Sequence, residues 1–242
     1  MRKDDEKTQL LLEQVKQQQM FLEMLAHSWV ADYRAGGGQV YCGKGCRNCC
    51  SLAVHTGFAE ALAVARSLNR AQADAVAEYA GRLKELLQGV DGLAAYLRLH
   101  RTEIGFCPFL DQAGACGIYP VRPLSCRSLI STRESVWCGA DFSRISPEER
   151  EAFLAGLDRQ VVAFPSHYAA SLQESGRELE DATAQRMRAL LGFALYGNLG
   201  VLVHLCLSHG LADSCLKGAD AAAAAMARAG FDLPVLWSIS QG

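Results

Sequence analysis

Between residues 3 and 34, Leu11, Val15, Leu22, Leu25 and Trp29 recur at steps of three, four or seven. That spacing puts them on one face and predicts a single long helix. The Gly36-Gly37-Gly38 run ends it, and a cysteine-rich loop, CGKGCRNCC, fills 42–50. A second helix is expected to start near Thr56 or Gly57, with Glu60 in its first turn, and to run through FAEALAVARSL. Residues 71–100, rich in alanine and leucine, predict one or two more helices, broken around Gly89 and Gly92. From Cys107 the helical period is lost. The stretch CPFLDQAGACGIYPVRPLSCR carries three prolines and three cysteines, and CPFL and CGIY are placed to pair as a short hairpin across DQAGA.

After Trp137-Cys138 the helical pattern returns. Ser146-Pro147-Glu148-Glu149 has the form of a capping box with proline at the first helical position, and Ser175 to Glu178 repeats the cap spacing. Two or more helices are expected over 178–210, and an alanine-rich one over 219–229 stopped by Gly230. Strands do not alternate with helices, so no parallel sheet is expected. The fold class is therefore mainly α: a helical, bundle-like domain with a loop-dominated cysteine region and at most a short β-hairpin. Three regions follow, an N-terminal helix (1–39), a cysteine region (40–144) and a C-terminal helical region (145–242), read as one composite domain.

Composition changes this picture in one respect. With 242 residues, half of them apolar, the chain can bury a core without cross-links, and its net charge of −2 exerts no general pull on nucleic acid or anionic membrane. The apolar run from Ala189 to Leu207 is interrupted by Gly192, Gly197, Asn198, Gly200 and His204, which marks it as buried core and not as a membrane span. The start, MRKDDEKTQLLLEQ, lacks the features of a secretory signal, so a cytoplasmic location is expected. In a reducing compartment ten cysteines point to metal or redox chemistry and away from disulfides.

Eight of the ten are grouped. Cys42, Cys46, Cys49 and Cys50 form C-x3-C-x2-C-C; Cys107, Cys116 and Cys126 form a second set, with Cys138 as an eighth member. Thiolates bind soft and borderline metals, and short spacings bring several sulfurs to one centre. Gly43 and Gly45 give the loop the freedom to wrap an ion. Adjacent Cys49 and Cys50 point differently on a regular backbone, so one of them is expected to bridge, serve a second metal or face the core. Cys206 and Cys215 stand alone and read as core residues.

The ordered combination of this loop with Cys-Pro-Phe-Leu and C-x-I-Y-x-x-R-P-x-x-C-R resembles the CxxCxxCC cysteine-cluster family of the YkgJ type. Its members are described as zinc- or iron-chelating proteins, with relatives among the flagellin lysine-N-methylases. The resemblance spans roughly 40–140. It implies Cys42, Cys46, Cys49, Cys50, Cys107, Cys116 and Cys126 as ligands, accompanied by Pro108, Tyr119, Arg122, Pro123 and Arg127.

No histidine falls inside the cysteine spacings, which tilts away from mixed Cys/His fingers, although all-thiolate zinc sites are common. Cys107-Pro108 matches the Cys-Pro of ferredoxin loops, so an iron–sulfur cluster is favoured over zinc by a narrow margin. Lys44, Arg47, Arg122, Arg127 and Arg133 would offset thiolate charge or, in a sharper reading, line an anionic-substrate pocket. Arg122, Arg127 and Tyr119 are the residues expected beside the bound group, with Tyr119 donating to a sulfur or simply packing. Cys42, Cys46 and Cys49 also match the spacing of radical S-adenosylmethionine enzymes, but Asn48 precedes the third cysteine and no β/α-barrel pattern follows. His55 reads as a helix-start residue, and His204 and His209 as too far apart in phase for a metal pair. No phosphate loop, nucleophile elbow or nucleic-acid module is present.

Three functions remain: a closed structural or electron-transfer metal site, an open iron–sulfur enzyme of redox or methyl-transfer type, and a metal-shaped module that docks a protein partner through the N-terminal helix. No catalytic residue or substrate is legible.

Overall fold

The computed structural model describes residues 3–241. The first helix, α1 (Lys3–Ala35), ends where the glycine run begins. Its predicted stripe faces inward: Leu11, Val15 and Leu22 are fully buried, and Leu25 and Trp29 pack beside Ala26. A 3-10 turn (Asn48–Ser51) precedes β1 (His55–Gly57), α2 (Phe58–Ser67), α3 (Arg70–Leu86) and α4 (Gly92–Leu99). Two four-residue helices, α5 (Leu124–Arg127) and α6 (Val136–Gly139), carry the cysteine region onward. The C-terminal part comprises α7 (Pro147–Ala155), α8 (Ala170–Leu191), β2 (Phe193–Asn198), α9 (Leu199–Ser208), α10 (Leu211–Lys217), α11 (Ala219–Arg228) and β3 (Trp237–Gln241).

The mainly helical class holds, with 61% of the residues helical. The main core lies where α2, α3 and α9 to α11 meet, around Phe58, Val76, Leu83, Tyr96, Leu202 and Met226. Fully burying each such side chain contributes about 1.5–3 kcal/mol. α8 runs along α1, joined to it by Gln18, whose amide donates to the Leu179 carbonyl and accepts from Thr183 Oγ1. Gly176 lets α8 approach α5 closely, since a Cβ there would stand 2.9 Å from that of Ser128.

The expected CPFL/CGIY hairpin is present as an antiparallel bridge between Leu110 and Cys116. A three-stranded antiparallel sheet, in the order β1-β2-β3, joins it. Its register pairs Thr56 with Gly197 and Leu195 with Ile239. The sheet exceeds the single short hairpin expected: β2 falls inside a stretch read as helical, β1 at the expected start of the second helix and β3 beyond the last predicted one. β2 is buried on both faces except at Tyr196, so it shows no alternation, and a short apolar run of that kind cannot be told from a helix by period. Ser146 forms the expected capping box, accepting from Glu149 N at 3.1 Å. Ser175 does not cap a helix. α8 already starts at Ala170, where Ala170 N donates to the Val161 carbonyl and Ala169 N to that of Ile130, so tertiary pairing sets the boundary. Among the described residues no single helix is long and apolar enough to cross a membrane; α9 and α10 reach that hydropathy only together, across a 90° bend.

Candidate metal centre

The cysteine loop is stitched to both later segments. Cys107 N donates to the Cys50 carbonyl at 2.8 Å, which brings the two sets together through the backbone. On the other flank Tyr41 N donates to the Ser131 carbonyl (3.1 Å), and Ser131 N donates to Cys42 Sγ (3.2 Å). Asn48 Nδ2 reaches Ser135 Oγ at 3.0 Å, tying the 3-10 turn to α6.

Each later cysteine has its own support. Asp111 Oδ1 accepts from Ala113 N and Ala115 N, fixing the turn that sets Cys116 across from Leu110. Glu60, only 1% exposed, accepts from Leu124 N at 2.8 Å and from Thr56 Oγ1 at 2.6 Å, so a buried carboxyl anchors the start of α5 and with it Cys126. Cys138, on α6, is buried; its neighbour Trp137 packs with Phe142 against a small cluster of Phe153, Leu157 and Val162.

All ten cysteines are free thiols. Burial raises the pKa of Cys42 to about 11, against the opposing Ser131 N–H, and that of Cys126 to about 12, where neighbouring Cys49 and Cys116 add to the rise. Cys107, Cys116 and Cys138 are raised mainly by burial as well. Cys49 is raised first by its contact with the Cys50 thiol and then by burial. The thiols of Cys42, Cys107, Cys116, Cys126 and Cys138 all feel Cys49, which therefore sits at the middle of the group. Cys49 and Cys50 both lie in the 3-10 turn, where Cys50 is the largest influence on the Cys49 thiol.

Metal ligation requires these protons to leave, and the energy comes from the metal–sulfur bonds. The donor set suits such an ion: many thiols, no disulfide, and cations nearby. Among the described residues no three His, Cys, Asp or Glu side chains already converge tightly enough to hold an ion. Closure would have to come from the loop at 42–47, which has no regular structure apart from a turn. There Gly45 takes φ +85° with open space around it, a conformation that favours glycine.

The residues expected beside the bound group have a different immediate task. Arg127, 4% exposed, pairs with Glu23 of α1 and donates to the carbonyls of Tyr119, Pro120 and Arg122. Arg122 lies over the Tyr119 ring at 4.1 Å and meets Glu23 at 3.4 Å. Tyr119 OH donates to Glu23 at 3.2 Å and to no sulfur. Burial opposes ionisation of Glu23, but Arg122 and Arg127 outweigh it and hold its carboxyl below the ordinary range. The charges of Arg122 and Arg127 also lower the pKa of Cys116, which supports charge compensation over a substrate pocket. Arg47 lies over Phe106, and Arg133 pairs with Glu134.

His55 is a strand residue, hydrogen-bonded through Nε2 to Tyr96 OH at 3.1 Å. His204 and His209 have rings 5.1 Å apart, closer than their phase implies, because His209 lies beyond the end of α9. One contact had no sequence signal: His167 Nε2 stands 3.3 Å from Cys138 Sγ, and the ring is 4% exposed. Twenty-nine residues separate the pair, so only three-dimensional structure reveals it.

These features define a helical protein that gathers eight free, mostly part-buried cysteines in its middle region. Residues 41–146, somewhat under half of the chain, match the model of the CxxCxxCC family, whose description reads "Putative zinc- or iron-chelating domain". No curated protein and no solved structure matches the chain.

Proposed function

We propose that this chain is a metal-binding protein whose thiolates hold iron, as an iron–sulfur cluster, or zinc, in a closed site with a structural or electron-transfer role. The observation that carries the reading is the meeting of the two cysteine segments at the Cys107–Cys50 backbone bond, with Cys49 central among the sulfurs. Iron–sulfur is the leading assignment because no histidine falls inside the cysteine spacings and Cys107-Pro108 matches the Cys-Pro of ferredoxin loops, whose clusters take four thiolates. Anaerobic purification with metal and sulfide analysis tests it. Stoichiometric iron with sulfide and a broad visible absorbance selects the cluster; colourless protein with stoichiometric zinc selects zinc. Cys46→Ser and Cys116→Ser should each lose metal and lower stability, because binding and folding are coupled. Unchanged metal content in both would refute the ligand assignment.

A second reading, a docking module, is favoured by one observation. Met20, Phe21 and Met24 of α1 are exposed, beside a cleft of about 600 Å³ between α1, α2 and the 119–121 turn. Lys16 and Arg66 line that cleft, which suits a partner helix carrying apolar and acidic side chains.

A further inference from the structure

We propose that His167 is a metal ligand, joining Cys138 and the cysteines of the 42–46 loop in a mixed cysteine–histidine site. The inference rests on the metal-binding reading and extends it to a residue outside the matched segment 41–146. Three observations support it. The first is separation. Tetrahedral zinc with a bond of about 2.3 Å to sulfur and about 2.05 Å to nitrogen holds the two donors about 3.6 Å apart. Cys138 Sγ and His167 Nε2 stand 3.3 Å apart, so an ion can enter between them with a shift of a few tenths of an ångström.

The second is placement. Ser131 pairs with Tyr168 in an antiparallel bridge, and Thr132 donates through both N and Oγ1 to the His167 carbonyl at 3.0 Å. The same Ser131 gives its N–H to Cys42 Sγ. One fully buried residue therefore fixes Cys42 on one side and Tyr168, the residue after His167, on the other. The third is surroundings. The imidazole meets Phe153 edge-on, with centroids 5.7 Å apart, and packs against Tyr168 at 4.3 Å, so its orientation toward Cys138 is set by packing. No three of these donors yet converge on one point, so the open loop at 42–47 has to close over Cys138 and His167.

The alternative role is that of a hydrogen-bond partner that orients Cys138 without touching metal. X-ray absorption at the zinc edge of the full-length protein, loaded with zinc alone after anaerobic removal of native metal, separates the two. The wild type should show imidazole scattering, and His167→Cys should retain zinc while losing that signature. His167→Ala should weaken zinc binding by more than the 10–100-fold that losing an outer partner costs. Far-UV circular dichroism of both variants checks that the helices persist. Zinc bound to the wild type without imidazole scattering, or scattering retained in His167→Cys, overturns the assignment and leaves the thiolate site standing. A wild type that binds neither zinc nor iron overturns both.

Discussion

Arg127→Ala removes a guanidinium engaged at four acceptors: the Glu23 carboxylate and the carbonyls of Tyr119, Pro120 and Arg122. Those carbonyls belong to the turn between Cys116 and Cys126, and Glu23 belongs to α1, so one side chain binds the metal-site turn to the N-terminal helix. Breaking a buried ion pair by deleting one partner costs about 3–5 kcal/mol. Glu23 keeps Arg122 at 3.4 Å and is itself partly exposed, so it is not stranded, and the lower end applies. Counting the three carbonyls separately, at about 1 kcal/mol per lost hydrogen bond, also gives about 3 kcal/mol. Urea unfolding of metal-free protein, followed by far-UV circular dichroism, measures this. Arg127→Lys keeps the charge but not the planar fork, and should recover less than half of the loss. A loss below about 1 kcal/mol for the alanine variant, or full recovery with lysine, would refute the clamp.

Two further outcomes follow from other parts of the molecule. Burial, reinforced by the charge of Glu60, raises Glu180 to about 8, with Ser125 N–H in partial opposition. The folded chain thus keeps a proton that the unfolded chain releases near its ordinary pKa of about 4.3. The resulting stabilisation is complete below that value and disappears as pH rises through about 8. Glu180→Gln should flatten the fall in stability between those limits, and parallel wild-type and variant curves would contradict the assignment. On α1, Met20→Glu with Met24→Glu should change stability by less than about 0.5 kcal/mol and leave metal content intact, while reducing the binding of a hydrophobic dye, because both side chains face solvent. A larger loss of stability would show that this face supports the fold and is not a free surface.

The sequence makes the helical part readable because its signals are local. Leu11, Val15 and Leu22 repeat on one helix face, Ser146 with Glu149 forms a cap, and glycine runs end helices. The cysteine grouping is readable for the same reason, since four thiols within nine residues need no folding to stand out. What the sequence conceals is pairing at a distance. β2 joins β1 and β3 from opposite parts of the chain, and its apolar run carries no alternation. The start of α8 is set by hydrogen bonds to Ile130 and Val161 and not by a capping side chain, so the cap-like Ser175 misleads. Tyr119, Arg122 and Arg127 look like attendants of a bound group until Glu23, about a hundred positions earlier, proves to be their common partner.

That last relation bears on what the cysteine domain requires of the rest of the chain. The turn before Cys126 is held by Glu23, which precedes the family segment, while α5 packs on α8, which follows it. Tyr168, next to His167, bridges to Ser131, and Ser131 touches Cys42. Thiols whose pKa burial raises stay protonated and neutral near pH 7 and gain little from one another; they become thiolates only when a metal ion displaces their protons. A framework that keeps such a group together before metal arrives must draw its binding energy from elsewhere. Here that energy comes from the α1–α8 pair and the Glu23–Arg127 clamp. The flanking helices are therefore part of the metal site's structure, and the two cysteine segments meet because α1 and α8 bring them to one place.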